Sequence, residues 1–364
     1  MYNITMVAGA RPNFIKLAPI VWAVEKAKKA GEKIDCRLVY VGKEGDATLE
    51  ETLFDDLQIG RPDVFLGVDC ESLNELTGQT MGAFDRYLDE VPTDAVIVVD
   101  DLASTMAVAI VCKKRGVKLA HLVAGTRSFD FAMPKEVNRL VIDGLSDLLF
   151  TAGAGANSIV SREGAELQKV YMVGNIIIDT LRHNYSRFTR PECLDRMNVA
   201  DGSYIVFTIN RKALLTDDGY LYDMLSTISK QLGDTKVIAP LRGLAREKIE
   251  PLAAEMPGMS IVDSMSYLDF GYLTAHAKGI ITDSGNIAEE ATFNNVPCIT
   301  LNDYTEHVET VSQGSNVLVG YDLDKLQTFV ADMIGGNWKK SSLPERWDGR
   351  TADRILQIVT SSAQ

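Results

Sequence analysis

Short apolar runs alternate with longer segments of helical period along the chain. Ile4–Ala8 reads as a strand, and 14–29 reads as a helix with Ile15, Ala18, Ile20, Val21 and Val24 spaced for one face. Strand-like runs follow at 36–41, 95–99, 119–123 and 147–151, each separated by helical or loop sequence. The grammar then restarts, with strands at 204–208, 236–240, 260–262, 279–282 and 297–300. Helices are expected at 220–232, 268–278, 287–294 and 324–334. Strand–helix–strand alternation of this kind predicts parallel sheets covered by helices on both faces. Two runs of it predict an α/β protein of two doubly wound, Rossmann-like domains, 1–173 and 174–345, facing each other across a cleft. The turn Gly174-Asn175 is the expected junction, and the tail 346–364 is a helix expected to pack across both domains.

A length of 364 residues suits two domains of roughly 150–200 residues each. The net charge of −13 disfavours nucleic acid and anionic membrane surfaces as partners. No apolar run reaches the roughly 20 residues that a membrane helix needs. The N-terminus runs straight into strand-like sequence without a secretory signal pattern. Five scattered cysteines with no CxxC pair, beside four histidines, point to a reducing compartment and to neither a disulfide framework nor a metal site. Cys112 and Cys298 are expected in the core. No cofactor is implied.

In open α/β sheets, ligands gather at the carboxyl ends of the strands, so the polar residues there are the candidates. Gly9-Ala10-Arg11-Pro12-Asn13 leads into a helix carrying Lys16, and suits an anion at a helix N-terminus. Asp283-Ser284-Gly285-Asn286 does the same in the second half. There the amides of Ser284, Gly285 and Asn286 could cradle phosphate, with Asp283 or Ser284 as helix cap and Glu290 one turn on. Asp100 and Asp101 end a strand, where capping of the next helix is favoured over a general base. His121, alone on an apolar strand, reads as a core histidine.

Taken together, these motifs resemble the non-hydrolysing UDP-N-acetylglucosamine 2-epimerases, a family with the GT-B fold. The resemblance rests on Ala10-Arg11-Pro12 with Lys16, Gly125-Thr126-Arg127, Glu136-Val137-Asn138-Arg139, Gly174-Asn175 with Asp179, Tyr267-Leu268-Asp269-Phe270, Asp283-Ser284-Gly285 with Glu289-Glu290, and Thr305-Glu306. It implies a cytoplasmic homodimer serving polysaccharide synthesis. It also implies inversion at C2 of a UDP-sugar by elimination and re-addition of UDP. By the same resemblance Asp101, Glu136, Lys16 and Arg127 are the catalytic candidates. Arg11 and Ser284 fall to the diphosphate, Glu290 to the ribose and Phe270 to the uracil, with Asn210, Arg211, Gly285, Asn286 and Glu306 also against the UDP-sugar. The pattern departs from the family at Val123 and Lys135, where glutamates stand, at Asn210, where a histidine stands, and at His307-Val308, where Arg-Pro stands. Lys43-Glu44-Gly45 replaces an allosteric Gln-His segment. The readings left open are a divergent epimerase, a UDP-sugar-dependent glycosyltransferase or hydrolase, and a catalytically inactive UDP-sugar-binding protein.

Overall fold

The computed structural model describes residues 1–361. The chain divides into two compact units, Met1–His183 with the stretch from Glu345, and Asn184–Pro344. The first unit holds strands β1 (Tyr2–Ala8), β2 (Ile34–Tyr40), β3 (Val64–Phe65), β4 (Ala95–Val99), β5 (Lys118–Leu122), β6 (Leu148–Thr151) and β7 (Val170–Met172), in the order β3-β2-β1-β4-β5-β6-β7. The second holds β8 (Tyr204–Phe207), β9 (Lys236–Pro240), β10 (Met259–Val262), β11 (Gly279–Thr282), β12 (Cys298–Thr300) and β13 (Asn316–Leu318), in the order β10-β9-β8-β11-β12-β13. All pairings are parallel, from Ile4 opposite Ala95 to Ile281 opposite Phe207.

Both faces of each sheet are buried, which is why the strands read as continuous apolar runs. In the second unit Ile205, Phe207, Val237 and Ile281 pack into one core, while their neighbours Tyr204, Val206, Ile238 and Ile280 pack into another. Cys112, in a core of the first unit, and Cys298, in the second of these cores, lie fully buried, as expected. In each unit the chain reverses its direction of winding between the first and fourth strands, at β1/β4 and at β8/β11. Loops diverge there and leave room at the strand ends.

Six helices bear on the site and are numbered here α1 (Arg11–Lys29), α2 (Ala103–Arg115), α3 (Pro134–Leu145), α4 (Ile176–Asn184), α5 (Gly285–Asn294) and α6 (Thr351–Ser361). The expected junction at Gly174 falls inside the first unit, and the boundary comes after His183. The reason is packing. Gly174 has φ +103, and a Cβ there would sit 2.2 Å from the Arg346 carbonyl oxygen. Downstream, the Thr180 hydroxyl donates to the Ile15 carbonyl at 2.6 Å, and His183 stacks on Trp22. The tail helix α6 belongs to this unit and packs on α1.

Asp179 accepts from the Ala352 amide at 2.8 Å and so ties α4 to the start of α6. Burial pushes its pKa up from 3.8 to about 6. The folded chain then keeps a proton that the unfolded chain releases, so this contribution is full below about pH 4 and is lost as pH rises through 6. Asp179→Asn keeps the acceptor without the charge. Its stability relative to the parent chain should therefore improve by up to roughly 3 kcal/mol between about pH 4 and pH 7. Urea unfolding across that range measures it, and a pH-independent difference would refute the assignment.

Candidate active site

The strand ends of the first unit carry a dense polar cluster. After β1, the Asn13 side-chain oxygen accepts from the amides of Gly9 at 2.9 Å and Ala10 at 3.0 Å. A carboxamide thus seals the glycine turn that leads into α1. Asn13 also donates to Asp100 at 2.8 Å, and the buried Lys16 ammonium lies 2.5 Å from the other Asp100 oxygen. Lys16 is thus bound to a carboxylate within the protein. Arg11, at the first position of α1, is the more exposed cation of the pair and lies 4.0 Å from Glu50.

Asp100 and Asp101 do not cap the following helix. Leu102 holds the cap position of α2, and no side chain bonds there. Asp100 turns toward α1 with φ +61. Asp101 turns to α3 instead. One of its oxygens accepts from Arg139 Nε at 2.8 Å and Nη2 at 2.6 Å, and Lys135 Nζ lies 3.5 Å from the other. Burial would raise the Asp101 pKa, but Lys135, Arg139 and Lys16 together hold it below the usual carboxylate range.

Glu136 is 1% exposed and fully engaged. Its carboxylate accepts from the Ser128 amide and hydroxyl, both at 2.9 Å, from the Phe129 amide at 3.0 Å and from Arg139 at 3.1 Å. Burial opposes ionisation, yet these donors keep its pKa low. A carboxylate that accepts from four donors anchors the 128–129 turn. Arg127 is engaged within the protein likewise. It donates to both Glu163 oxygens at 2.9 and 2.6 Å, to the Thr126 carbonyl at 2.8 Å and to Asp143 at 2.7 Å.

Asp143, which sequence reasoning missed, is the hub of this network. It meets His121 Nδ1 at 2.6 Å and the Gly125 amide at 3.1 Å. His121 Nε2 lies 3.0 Å from the Asp100 carbonyl, so the histidine is a buried strut, as its apolar strand suggested. A signal was present: Glu136, Arg139 and Asp143 recur at spacings of three and four, which puts them on one helical face. Between the two Asp143 anchors, Val123 is held at φ +70, a region that β-branched residues avoid.

In the second unit, Asp283 accepts from the amides of Asn210 at 2.8 Å and Arg211 at 2.5 Å, and Arg211 donates to Asn302 at 3.0 Å. Helix α5 begins at Gly285 with Ser284 as its cap position, although the Ser284 side chain makes no capping bond. The Ser284 amide is taken by the Thr282 hydroxyl at 3.0 Å. Among the described residues nothing accepts from the amides of Gly285 and Asn286, so this helix start is open to an anion. His307 covers its side. A Cβ on Gly285 would meet the ring at 2.6 Å, and His307 Nδ1 lies 2.8 Å from buried Glu289. Glu290 is 7% exposed, and no donor among the described residues reaches its carboxyl; burial and the neighbouring Glu289 push its pKa up to about 8. Phe270 and Glu306 are half-buried in the same unit.

A family model described as UDP-N-acetylglucosamine 2-epimerase matches residues 26–360. The chain belongs to the non-hydrolysing UDP-N-acetylglucosamine 2-epimerase family. The UDP-N-acetylglucosamine 2-epimerase of Methanocaldococcus jannaschii is 30% identical, with 98% of this chain and 99% of that one covered. The UDP-2,3-diacetamido-2,3-dideoxy-D-glucuronate 2-epimerase of Pseudomonas aeruginosa is 31% identical, with 92% of each covered. The M. jannaschii epimerase solved in complex with UDP-GlcNAc and UDP superposes with a TM-score of 0.86 at 30% identity, over 99% of both chains. The fold is GT-B, built of two Rossmann-like domains. A lipopolysaccharide outer core galactosyltransferase shares it at TM-score 0.60 and 14% identity, which is a likeness of fold alone.

Within this family member, Arg127 serves as a brace. Replacing it by Met would leave Asp143 buried and short of a cation, so Arg127→Met should destabilise the chain by roughly 3–5 kcal/mol. Chemical denaturation checks this; a loss near zero would return Arg127 to the list of ligand-facing groups.

Proposed function

We propose that this protein epimerises C2 of an N-acetylated UDP-sugar, interconverting UDP-GlcNAc and UDP-ManNAc or a related pair. The observation that carries the reading is the whole-length relation to an epimerase whose solved structure contains UDP-GlcNAc and UDP. In this reading the second unit takes the nucleotide. The open amides of Gly285 and Asn286 and the α5 dipole receive phosphate, with Ser284, Asn210 and Arg211 supporting; for Arg11 a diphosphate role rests on the family resemblance alone. Glu290 accepts from the ribose hydroxyls, Phe270 flanks the uracil, and Glu306 lies beside them. Asp101 and Lys16 serve the sugar. A cytoplasmic homodimer supplying polysaccharide synthesis is the setting that the family resemblance suggests.

The reaction removes the C2 proton while UDP leaves C1, giving a 2-acetamidoglucal. UDP then adds back after protonation on the other face. Ionised carboxylates near C2 are needed for the first step, and cations and amide dipoles stabilise the departing diphosphate. Incubation with UDP-GlcNAc in heavy water tests the proposal by NMR: deuterium should appear at C2 as the manno isomer grows. Unchanged substrate with each of several N-acetylated UDP-sugars would overturn it.

The Glu290 assignment predicts a pH dependence. Ribose hydroxyls donate, so binding favours the ionised carboxylate over the protonated form that burial favours. UDP should bind roughly tenfold tighter at about pH 9 than at about pH 7. Glu290→Gln should bind more weakly and lose that dependence, and calorimetric titration at both pH values reads both effects. Equal slopes in the two proteins would remove Glu290 from the ribose.

A further inference from the structure

Inversion at a carbon sets a geometric demand. The proton leaves one face and a proton arrives on the other, so a single fixed carboxylate serves only one of the two steps unless the intermediate turns over. The strand-end cluster of the first unit offers four carboxylates. Asp143 is consumed by His121, Gly125 and Arg127, and Glu136 by four donors. Val123 carries no proton. Two remain, Asp100 and Asp101, and they are consecutive.

They are held from different helices. The α3 cations Arg139 and Lys135 flank Asp101, and α1 supplies Asn13 and Lys16 to Asp100. Each Asp100 oxygen accepts one bond, which leaves lone pairs uncommitted, and the side chain is 19% exposed while Lys16 beneath it is 5% exposed. With its left-handed φ of +61, Asp100 bonds to α1, whereas Asp101 bonds to α3. A buried ammonium 2.5 Å from a partly exposed carboxylate is a pair that holds one transferable proton behind a group able to pass it outward.

Resting on the epimerase reading above, we propose that Asp100, coupled to Lys16, is the second proton-transferring group, working opposite Asp101. In one direction Asp101 takes the C2 proton. The C–H electron pair becomes the C1–C2 double bond, and the C1–O pair leaves with UDP. The Lys16 ammonium then passes its proton through the Asp100 carboxylate to the other face of C2 as a UDP oxygen rebonds to C1. Neutral Lys16 regains a proton from water, and Asp101 releases one. The reverse reaction exchanges the two roles.

The test uses the full chain in heavy water with each UDP-sugar isomer supplied separately. Asp100→Asn suits the left-handed backbone, where asparagine is well tolerated, and keeps an acceptor for Lys16. Asp100 and Asp101 are each replaced by Asn. Each variant should lose interconversion by roughly 10²–10⁴-fold. Each should retain C2 deuterium uptake without inversion, in one isomer for Asp100→Asn and in the other for Asp101→Asn, with UDP affinity unchanged and the thermal midpoint lowered, since each leaves a buried cation without its carboxylate. Asp100→Gly, which removes the carboxylate and accepts the backbone, should match Asp100→Asn. Interconversion at the parent rate in either Asp100 variant overturns the proposal. So does loss of deuterium uptake from both isomers in Asp100→Asn, which would make Asp100 a positioning residue for Lys16. Failure of the unmodified chain to exchange or invert would sink the epimerase reading itself.

Discussion

The structure depends on how each sheet is closed at the point where its winding reverses. Parallel strands there send their loops in opposite directions and leave a notch at the carboxyl ends. In both units an aspartate just past the fourth strand of the winding ties down the segment that follows the first. Asp100, after β4, holds Asn13 and Lys16 beyond β1; Asp283, after β11, holds the amides of Asn210 and Arg211 beyond β8. The same clasp has different consequences. In the first unit it recruits Asn13, whose carboxamide seals the glycine turn. In the second it gathers backbone amides of the neighbouring loop and leaves the start of α5 open.

Charge explains the rest of the division of labour. An acidic chain with a carboxylate-rich strand end needs internal cations, and the first unit supplies them in matched sets: Lys16 with Asp100, Arg139 and Lys135 with Asp101, Arg127 with Asp143 and Glu163. Buried cations of this kind are committed to the fold, because removing either partner strands a charge in low dielectric. They are poorly placed to receive a diphosphate as well. An anion is better served in the second unit, where the positive end of α5 and uncommitted amides provide attraction without an opposing carboxylate bonded to them.

Legibility followed distance along the chain. Strands buried on both faces were plain as apolar runs, whereas β3, of two residues, is too short to carry a pattern. Residue types at the site were also plain, and partners were not. Lys16 and Asp100 are 84 positions apart, and nothing local in either segment says that the cation is already taken. The partners of Arg127 and Glu136 were hidden for the same reason, since a motif shows which groups are present and tertiary contact decides what they bond. The domain boundary moved because Gly174 looks like a linker turn, while its real constraint is a carbonyl contributed by Arg346.

Val123 shows how a shape outlasts its chemistry. Where the family pattern has a glutamate, a β-branched side chain sits at φ +70, a conformation that costs roughly 1–2 kcal/mol for an L-residue. The turn survives because both sides of it are bonded to Asp143, through His121 and through Gly125. That anchor sets the backbone regardless of the side chain at 123. It also links the turn to the β4 end, since His121 reaches the Asp100 carbonyl. Loss of a carboxylate from the turn therefore leaves the neighbouring strand end undisturbed. In the proposed reaction, proton transfer falls to the rigid strand terminus, which the anchor holds through the Asp100 carbonyl, instead of to the turn.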